Sequence, residues 1–193
     1  MKETQEIVND RKKLKIQPMK IQPIKRAGQI IEIPANKIKI PNTRIIDMPE
    51  AVVGYFDVLG FSRKKSVDDF ETTLQDFLAP LAIASTSYPD IRFNVFTDCA
   101  FLAAPIEKAE ELLASIRYAF TQWISDGILV RGGIAIGQYI ENQSVALQMA
   151  SKNFSGNIFA GSGVVDAVKL ESSGCGALLF TNEKCGKFYR QKF

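Results

Sequence analysis

Residues 91–103 read IRFNVFTDCAFLA, two runs of aromatic and aliphatic side chains separated by a polar pair. The runs are Ile91–Phe96 and Cys99–Ala103, and the pair between them is Thr97 and Asp98. Strand-forming residues on both sides of a two-residue turn are typical of a β-hairpin. We therefore expect two antiparallel strands with an aspartate at their turn.

The segments around this hairpin predict alternating strands and helices. Ala51–Val58 is an apolar run of strand length, and apolar residues between 67 and 81 recur at helical spacing. Further helices are expected at 106–124 and 163–171, and further strands at 128–136 and 177–180. The order β-α-β-β-α-β-α-β predicts an α+β, ferredoxin-like fold, in which an antiparallel-rich central sheet carries helices on one face.

The first 48 residues differ in composition from the rest of the chain. Residues 1–50 contain 11 Lys or Arg and 6 Asp or Glu, whereas the remainder contains 13 and 15. Prolines divide this part into short extended pieces, such as Gln29–Ile33 and Lys37–Ile40. We expect a basic N-terminal extension over 1–48, either solvated or clasping a second copy, and one compact domain over 49–193. The extension has no interleaved aromatic residues on which bases could stack, so no nucleic-acid partner is expected.

The composition excludes several classes of chemistry. The chain has no histidine, which excludes Ser-His-Asp and Cys-His nucleophiles and histidine-ligated zinc. Its three cysteines show no Cys-x-x-Cys spacing, so neither a disulfide framework nor a structural zinc site is expected. Long charge-free apolar runs and an apolar leader are both lacking, which predicts no membrane association and a cytoplasmic location.

Two aspartates stand in otherwise apolar strand sequences. Asp57 lies near the end of Ala51–Val58, and Asp98 lies at the hairpin turn. If the two strands are neighbours, the two-residue period of β-structure brings both carboxylates to one rim of the sheet, where they could bind divalent cations. The run Gly60-Phe61-Ser62 after the first acid suits a turn whose backbone amides bind phosphate. The alternatives are an ordinary turn residue for Asp98 and a strand-end cap for Asp57.

Residues on the same strand faces as the acids are candidates for substrate contacts. Tyr55 shares a face with Asp57, and Arg92 and Asn94 share a face with Asp98. Tyr55 and Arg92 are candidates for contacting a base or ribose. Core packing of Tyr55 and simple surface exposure of Arg92 are the structural alternatives.

Four segments, in this order, resemble the motifs of class III nucleotidyl cyclases. FDVLGFS (56–62) is similar to their first metal-binding motif, and FNVFTDCAF (93–101) to the hairpin that carries their second metal-binding aspartate. VRGGIAIG (130–137) resembles their Arg-x-Gly-Ile-x-x-Gly strand, and residues 159–171 resemble the helix that faces the other subunit of their dimer. The resemblance implies a class III cyclase catalytic domain over 49–193.

The resemblance also implies a metal site and a reaction. Asp57 and Asp98 would ligate two divalent ions, Mn²⁺ or Mg²⁺, with the Val58 carbonyl as a backbone ligand. In this family the ribose 3′-hydroxyl attacks the α-phosphate of a nucleoside triphosphate and pyrophosphate leaves. A metal-lowered pKa can replace a protein base, so the lack of histidine is no obstacle.

Further roles implied by the resemblance concern the triphosphate. The amides of Phe61 and Ser62 would cradle it, and Arg131 would neutralise part of its charge. Two antiparallel protomers build each site in this family, so a homodimer with sites at the subunit interface is implied. Lys169 would reach a phosphate across that interface, the alternative being a solvated helix residue.

The departures from the family pattern concern the base and the transition state. Asn94 stands where purine cyclases place a base-selecting lysine, and Ile158 stands where they carry the partner acid of an adenine site. Val165 and Lys169 replace their transition-state asparagine and arginine. The pattern is similar to the bacterial pyrimidine cyclases of Pycsar anti-phage defence, which make cyclic UMP or cyclic CMP to activate a separate effector. UTP or CTP is therefore the expected substrate, and an asparagine amide offers both a donor and an acceptor to such a base.

Two other interpretations compete with a pyrimidine cyclase. A catalytically degenerate cyclase-like domain would bind nucleotide as a sensor or scaffold, which Val165 favours and the two retained acids oppose. A relative of diguanylate cyclases or polymerase palms would share the fold and the metal acids. No GGDEF-like string follows the hairpin, which counts against this third interpretation.

Overall fold

The computed structural model describes residues 24–26, 29–31, 44–63, 66–143 and 158–192. The chain forms two compact units, residues 1–39 and 40–193. In the first unit, strand β1 (Ile24–Arg26) pairs antiparallel with strand β2 (Gln29–Ile31). The expected extended piece Lys37–Ile40 lies outside the described residues.

Among the residues that the structure describes, the second unit is built on one six-stranded sheet. Its spatial order is β4-β5-β3-β6-β7, with β8 beside β6. Neighbouring strands are antiparallel, except that β8 runs parallel to β6. The predicted hairpin is present, because Phe96 lies opposite Cys99 with two residues between them. The strands are β3 (Arg44–Val58), β4 (Arg92–Phe96), β5 (Cys99–Pro105), β6 (Val130–Gln143), β7 (Ile158–Ala160) and β8 (Leu179–Thr181).

Four α-helices accompany the sheet within the described ranges: α1 (Val67–Ser87), α2 (Ala109–Ser125), α3 (Ser162–Ser173) and α4 (Glu183–Lys192). The N-terminus of helix α1 is capped by Ser66, whose hydroxyl accepts a hydrogen bond from the Asp69 amide at 3.1 Å. None of these helices is long and apolar enough to cross a lipid bilayer.

One face of the sheet is covered by α1 and α2. Phe56 of β3 is buried against Trp123 of α2, and the Trp123 ring stacks on Phe77 of α1 with ring centres 5.1 Å apart. The Trp123 indole also donates a hydrogen bond to the Phe77 carbonyl at 3.0 Å, so the one buried polar atom of this aromatic cluster has a partner. This face is the main apolar core.

Helix α3 lies on the opposite face, where Ala167 packs with Val53 of β3 and Ala135 of β6. The prediction of helices on one face therefore holds for α1 and α2 and not for α3. The physical reason is Gly133, where a Cβ atom would collide with the Ala167 carbonyl and come within 2.7 Å of the Glu171 amide. Glycine at this position lets the helix backbone rest directly on β6.

The sheet is strongly curled. The pairing of β3 with β6 shifts register between Met48 and Ala51, and β6 runs seven residues further than the predicted 136, to Gln143. Arg92 of β4 contacts Glu141 of β6 at 2.8 Å, although β5 and β3 lie between these strands in the sheet order. The far end of β6 thus returns over the face that carries α3.

Candidate active site

Both aspartates lie at one rim of the sheet. Asp57 is the next-to-last residue of β3, and its Cα partners are Cys99 on β5 and Arg131 on β6. Asp98 directly precedes Cys99, and its carbonyl accepts a hydrogen bond from the Val58 amide at 2.9 Å. The hairpin turn is therefore fixed to the end of β3, next to Asp57.

The surroundings of Asp57 disfavour its negative charge. Burial raises the pKa of this carboxyl, and the negative charges of Glu171 and Asp98 raise it further, against the opposing effect of Arg131. A half-buried carboxylate with two acidic neighbours is a poor arrangement for stability. It is a suitable arrangement for holding a cation, because a bound positive charge would remove the repulsion.

The turn that carries Asp98 is strained. Thr97 has φ +37°, a left-handed conformation that β-branched residues rarely adopt. Its hydroxyl donates a hydrogen bond to the Asp98 carboxylate at 2.7 Å. Strain of this kind persists where the surrounding structure fixes the backbone, and it is commonly found at functional sites.

The segment predicted to cradle phosphate follows Asp57 directly. Gly60 has φ +78°, and the Arg63 amide donates to its carbonyl at 3.0 Å, so residues 61–63 form a single 3₁₀ turn. Phe61 is buried and its ring contacts Phe70 of α1, whereas Ser62 is exposed. The Phe61 side chain thus anchors the turn beside the acids, and the phosphate role of its amides stays a prediction.

Arg131 is held by a residue whose role sequence reasoning missed. Its side chain lies beside Asp57, as expected from the register, and forms an ion pair with Glu171 of α3 at 2.5 Å. It also donates to the Gly174 carbonyl at 3.3 Å. Glu171 is 4% exposed and four residues after Ala167, on the face of α3 that meets the sheet. That acidic residue in an apolar helix stripe was the available sequence signal.

Tyr55 lies on the same face as Asp57, one strand pleat away. Its ring packs on Phe101 with centres 4.5 Å apart, and burial first, then the neighbouring Cys99, raises the pKa of its hydroxyl. Tyr55 is therefore a neutral, half-buried side chain at physiological pH. The structure shows that Tyr55 packs against core residues and lies near Asp57, while a contact of Tyr55 with substrate stays a prediction.

Arg92 and Asn94 belong to a polar network at some distance along the same face. The Arg92 guanidinium donates to both carboxylate oxygens of Glu141, from Nε at 3.0 Å and from Nη2 at 2.8 Å. The Asn94 amide nitrogen donates to the Tyr139 hydroxyl at 2.8 Å, and that hydroxyl donates to Glu141 at 2.9 Å. Asn94, Tyr139 and Glu141 are buried, and sequence reasoning named only the first of them.

Comparison with known proteins identifies this architecture at the level of fold. No family model matches the sequence, and no curated protein matches it either. Solved structures do match: the guanylyl cyclase domain of the RhoGC fusion protein from Blastocladiella emersonii has a TM-score of 0.63 at 14% identity, covering 78% of this chain and 88% of that one. The chain has the fold of a class III nucleotidyl cyclase catalytic domain.

Two further cyclases show the same similarity. The adenylyl cyclase CyaB from P. aeruginosa has a TM-score of 0.55 at 15% identity, covering 77% of this chain and 83% of that one. The guanylyl cyclase Cya2 has a TM-score of 0.54 at 13% identity, covering 76% and 79%. The predicted α+β cyclase fold is therefore confirmed, and the base that such a domain would select has to be argued from its own residues.

Lys169 belongs to helix α3, which also carries Glu171. It is exposed on α3, about half a helical turn from the sheet-facing Glu171. It lines an open cavity of about 380 Å³ together with Asp166, Ser173 and Asn182. Lys169 is thus not brought to Asp57 of its own chain, and the predicted contact with a phosphate requires a second subunit.

The residues at this rim of the sheet suit divalent cations that bind together with substrate phosphates. Within the described ranges no group of three or more Asp, Glu, Cys or His side chains is arranged to hold a metal ion by itself. Mg²⁺ and similar ions usually bind through one or two carboxylates together with substrate phosphates. Asp57 and Asp98 supply two carboxylates, and the backbone at Val58 lies between them, so this donor set fits ions that arrive with a triphosphate.

Proposed function

We propose that this chain is a metal-dependent nucleotidyl cyclase that acts on a pyrimidine nucleoside triphosphate. The observation that carries the proposal is the approach of Asp57 and Asp98 at the rim of a cyclase fold, close enough for the charge of one to raise the pKa of the other. Two carboxylates held together against their repulsion are explained by cation binding.

In the proposed reaction the ribose 3′-oxygen forms a bond to the α-phosphorus while the bond to the β-phosphate oxygen breaks. The products are a 3′,5′-cyclic monophosphate and pyrophosphate, and the 3′-hydroxyl proton passes to solvent. Two Mn²⁺ or Mg²⁺ ions on Asp57, Asp98 and the Val58 carbonyl would supply charge neutralisation and a lowered pKa of the attacking hydroxyl. The amides of Phe61 and Ser62 bind the triphosphate beside them.

In this mechanism Arg131 neutralises part of the charge of the triphosphate. Its guanidinium lies beside Asp57 and contributes a positive charge at the point where the triphosphate meets the acids. The Glu171 carboxylate fixes its orientation before substrate arrives. Preorganised charge of this kind stabilises a transition state more than a mobile side chain does.

The proposed base is uracil or cytosine. Asn94 replaces the lysine, and Ile158 the acid, with which purine cyclases read their base, so neither purine-reading group is present. Aromatic rings also lie on the face beside Asn94, where Phe159 of β7 packs on Phe101 with ring centres 4.7 Å apart and on Phe96 with ring centres 5.5 Å apart.

The active form is proposed to be a homodimer with sites at the subunit interface. Lys169 is exposed on α3 and lies away from its own acids, so it serves the site of the partner subunit. Val165 precedes it by one helical turn and is 51% exposed, which leaves an apolar side chain available for burial by a second copy.

The product is proposed to be a second messenger. A cyclic pyrimidine nucleotide made in the cytoplasm would activate a separate effector protein in anti-phage defence, with no membrane or nucleic acid taking part in the reaction. This part of the proposal rests on the motif resemblance, and the site geometry supports only the chemistry.

A nucleotide sensor without turnover is the second candidate. Arg131 is already engaged by Glu171, and the position of the transition-state asparagine carries Val165. If Glu171 keeps Arg131 from the triphosphate, the domain would bind nucleotide and release it unchanged.

One experiment separates these candidates. The full-length protein is incubated with Mn²⁺ and each of ATP, GTP, CTP and UTP, and the products are identified by mass spectrometry. A cyclic pyrimidine monophosphate supports the proposal, binding without product supports the sensor, and a linked dinucleotide would instead indicate a diguanylate-cyclase-like activity.

A further inference from the structure

A buried polar network lies on the site face, and only one of its members reaches solvent. Arg92 has a side chain that is 31% exposed, whereas Asn94 is 3%, Glu141 1% and Tyr139 0% exposed. Groups that are buried so completely are not available for direct contact with a large ligand. Any recognition by this network therefore passes through Arg92.

Glu141 fixes the orientation of that one exposed group. Nε and Nη2 of Arg92 both donate to its carboxylate, at 3.0 and 2.8 Å, a two-point contact that sets the plane of the guanidinium. Glu141 is held in turn by the Tyr139 hydroxyl at 2.9 Å and by the Asn94 amide at 3.4 Å. Glu141, the partner of Arg92, is thus itself held in place by two hydrogen bonds.

Toward a ligand, Arg92 can act only as a hydrogen-bond donor. Its Nη1 group makes no hydrogen bond to any described residue, and arginine has no acceptor atoms. A donor held in one plane can favour a base whose carbonyl oxygen lies in that plane, such as uracil, over a base whose in-plane acceptors are only ring nitrogens. Adenine has no carbonyl oxygen.

We infer that Glu141 and Tyr139 are specificity-determining positioning residues, which hold Arg92 so that it reads a carbonyl oxygen of the base. The inference rests on the proposed function, because it assumes that the base of the nucleotide lies along this face. It goes beyond that function by assigning base choice to the returning end of β6 rather than to Asn94 alone. Asn94 acts behind Arg92, as a donor to Tyr139.

The fold explains how Tyr139 and Glu141 come to lie beside Arg92. Tyr139 and Glu141 are two residues apart on β6, so both side chains lie on one strand face. The curl of the sheet brings that face over β4, which carries Arg92 and Asn94. Tyr139 is kept in place by its ring, which lies nearly parallel to Phe159 with centres 6.3 Å apart.

The test uses nucleotides that cannot cyclise, so that base choice is measured without turnover. Binding of 3′-deoxy-UTP and 3′-deoxy-ATP, each with Mn²⁺, is measured by titration calorimetry on the full-length wild type, on Tyr139→Phe and on Glu141→Gln. Tyr139→Phe keeps the buried ring and removes only the hydroxyl, so it remains informative if Glu141→Gln fails to fold. Trp123→Phe is the matched control, since it removes one buried hydrogen bond from the opposite face of the sheet.

We expect wild type to prefer the uracil nucleotide. Both network variants should reduce the ratio of the two affinities about tenfold, the effect of one buried hydrogen bond to a charged group. Trp123→Phe should leave the ratio unchanged, even if it lowers the melting temperature as much as the network variants do. An unchanged ratio in the network variants would overturn the inference and leave the proposed function standing. A wild-type preference for adenine would overturn the inference together with the proposed pyrimidine substrate. A wild type that binds neither nucleotide would overturn both.

Discussion

Arg131 and Glu171 form a partly buried ion pair beside Asp57, although 40 residues separate them in the chain. The pair joins β6 to α3 at the point where Gly133 lets the helix touch the strand. It places a positive and a negative charge next to the proposed metal acids. Its two members have opposite expected effects on a bound triphosphate.

Glu171→Gln should strengthen substrate binding and weaken the fold. Removing one negative charge near the triphosphate lowers the KM for nucleotide, while loss of the ion pair costs about 1–3 kcal/mol of unfolding free energy, less than for a fully buried pair because Arg131 is partly exposed. Steady-state kinetics and urea unfolding measure the two effects. Glu183→Gln, which removes an exposed charge paired with Lys187, is the control. A raised KM in a folded variant would contradict this prediction and would mean that the orienting effect of Glu171 on Arg131 outweighs its repulsion of the triphosphate.

Asp57→Asn should stabilise the metal-free protein at neutral pH. The folded state raises the pKa of Asp57 above its ordinary value of 3.8, so its protonated form contributes stability that is complete below that value and is lost as the pH rises through the raised pKa. At pH 7 the charge is a cost, and the amide removes it. We expect a gain of about 0.5–2 kcal/mol. Melting curves from pH 3 to 8, without metal, test this, and a lower melting temperature at pH 7 than wild type would refute it.

Thr97→Asn should relieve strain in the turn that carries Asp98. Asparagine tolerates φ near +37° far better than a β-branched residue, and it is preferred in two-residue hairpin turns. The unfolding free energy should rise by about 1 kcal/mol. Thr121→Asn makes the same exchange in the middle of α2 and should give no gain. Equal effects of the two substitutions in urea unfolding would show that the turn stores no strain.

Mixing two inactive variants should restore activity if the site is shared between subunits. Asp57→Asn removes an acid, and Lys169→Ala removes the group proposed to come from the partner. A mixed dimer contains one site with both groups intact, so random exchange of subunits should recover about one quarter of the wild-type rate. Product formation before and after mixing measures this. No recovery, despite exchange shown by size-exclusion chromatography of tagged chains, would place Lys169 outside the site.

The rim of acids was accessible to sequence reasoning because it depends on local patterns. Two-residue periodicity put Asp57 near the end of its strand and a two-residue turn put Asp98 at the hairpin tip. Their placement at one rim depended on the two strands being neighbours, a condition that the pairing of β3 with β5 fulfils. The same local rules gave the order of the elements between 51 and 181 except for β7 (Ile158–Ala160), a three-residue strand that was not predicted. Helix α4 was not predicted, because Glu183–Lys192 is short and its sequence is polar.

The partners of the predicted site residues depend on the curl of the sheet and were missed. Arg92 meets Glu141, and Asn94 meets Tyr139, only because β6 continues to Gln143 and bends back over β4. Strand periodicity gives the face on which a side chain lies but says nothing about bending across that face. The position of α3 was missed for a similar reason, because a helical stripe does not state which side of a sheet it covers. Gly133 was the one local indication.

The central claim is that Asp57 and Asp98 together hold divalent ions on a nucleoside triphosphate. Its most direct test is titration of Mn²⁺ into wild type, Asp57→Asn and Asp98→Asn in the presence of 3′-deoxy-UTP, with cyclisation of UTP and CTP assayed in parallel. We predict tight Mn²⁺ binding to wild type only, weakened at least about a hundredfold in each variant, together with loss of cyclic product. Unchanged Mn²⁺ affinity and unchanged turnover in both variants would contradict the account.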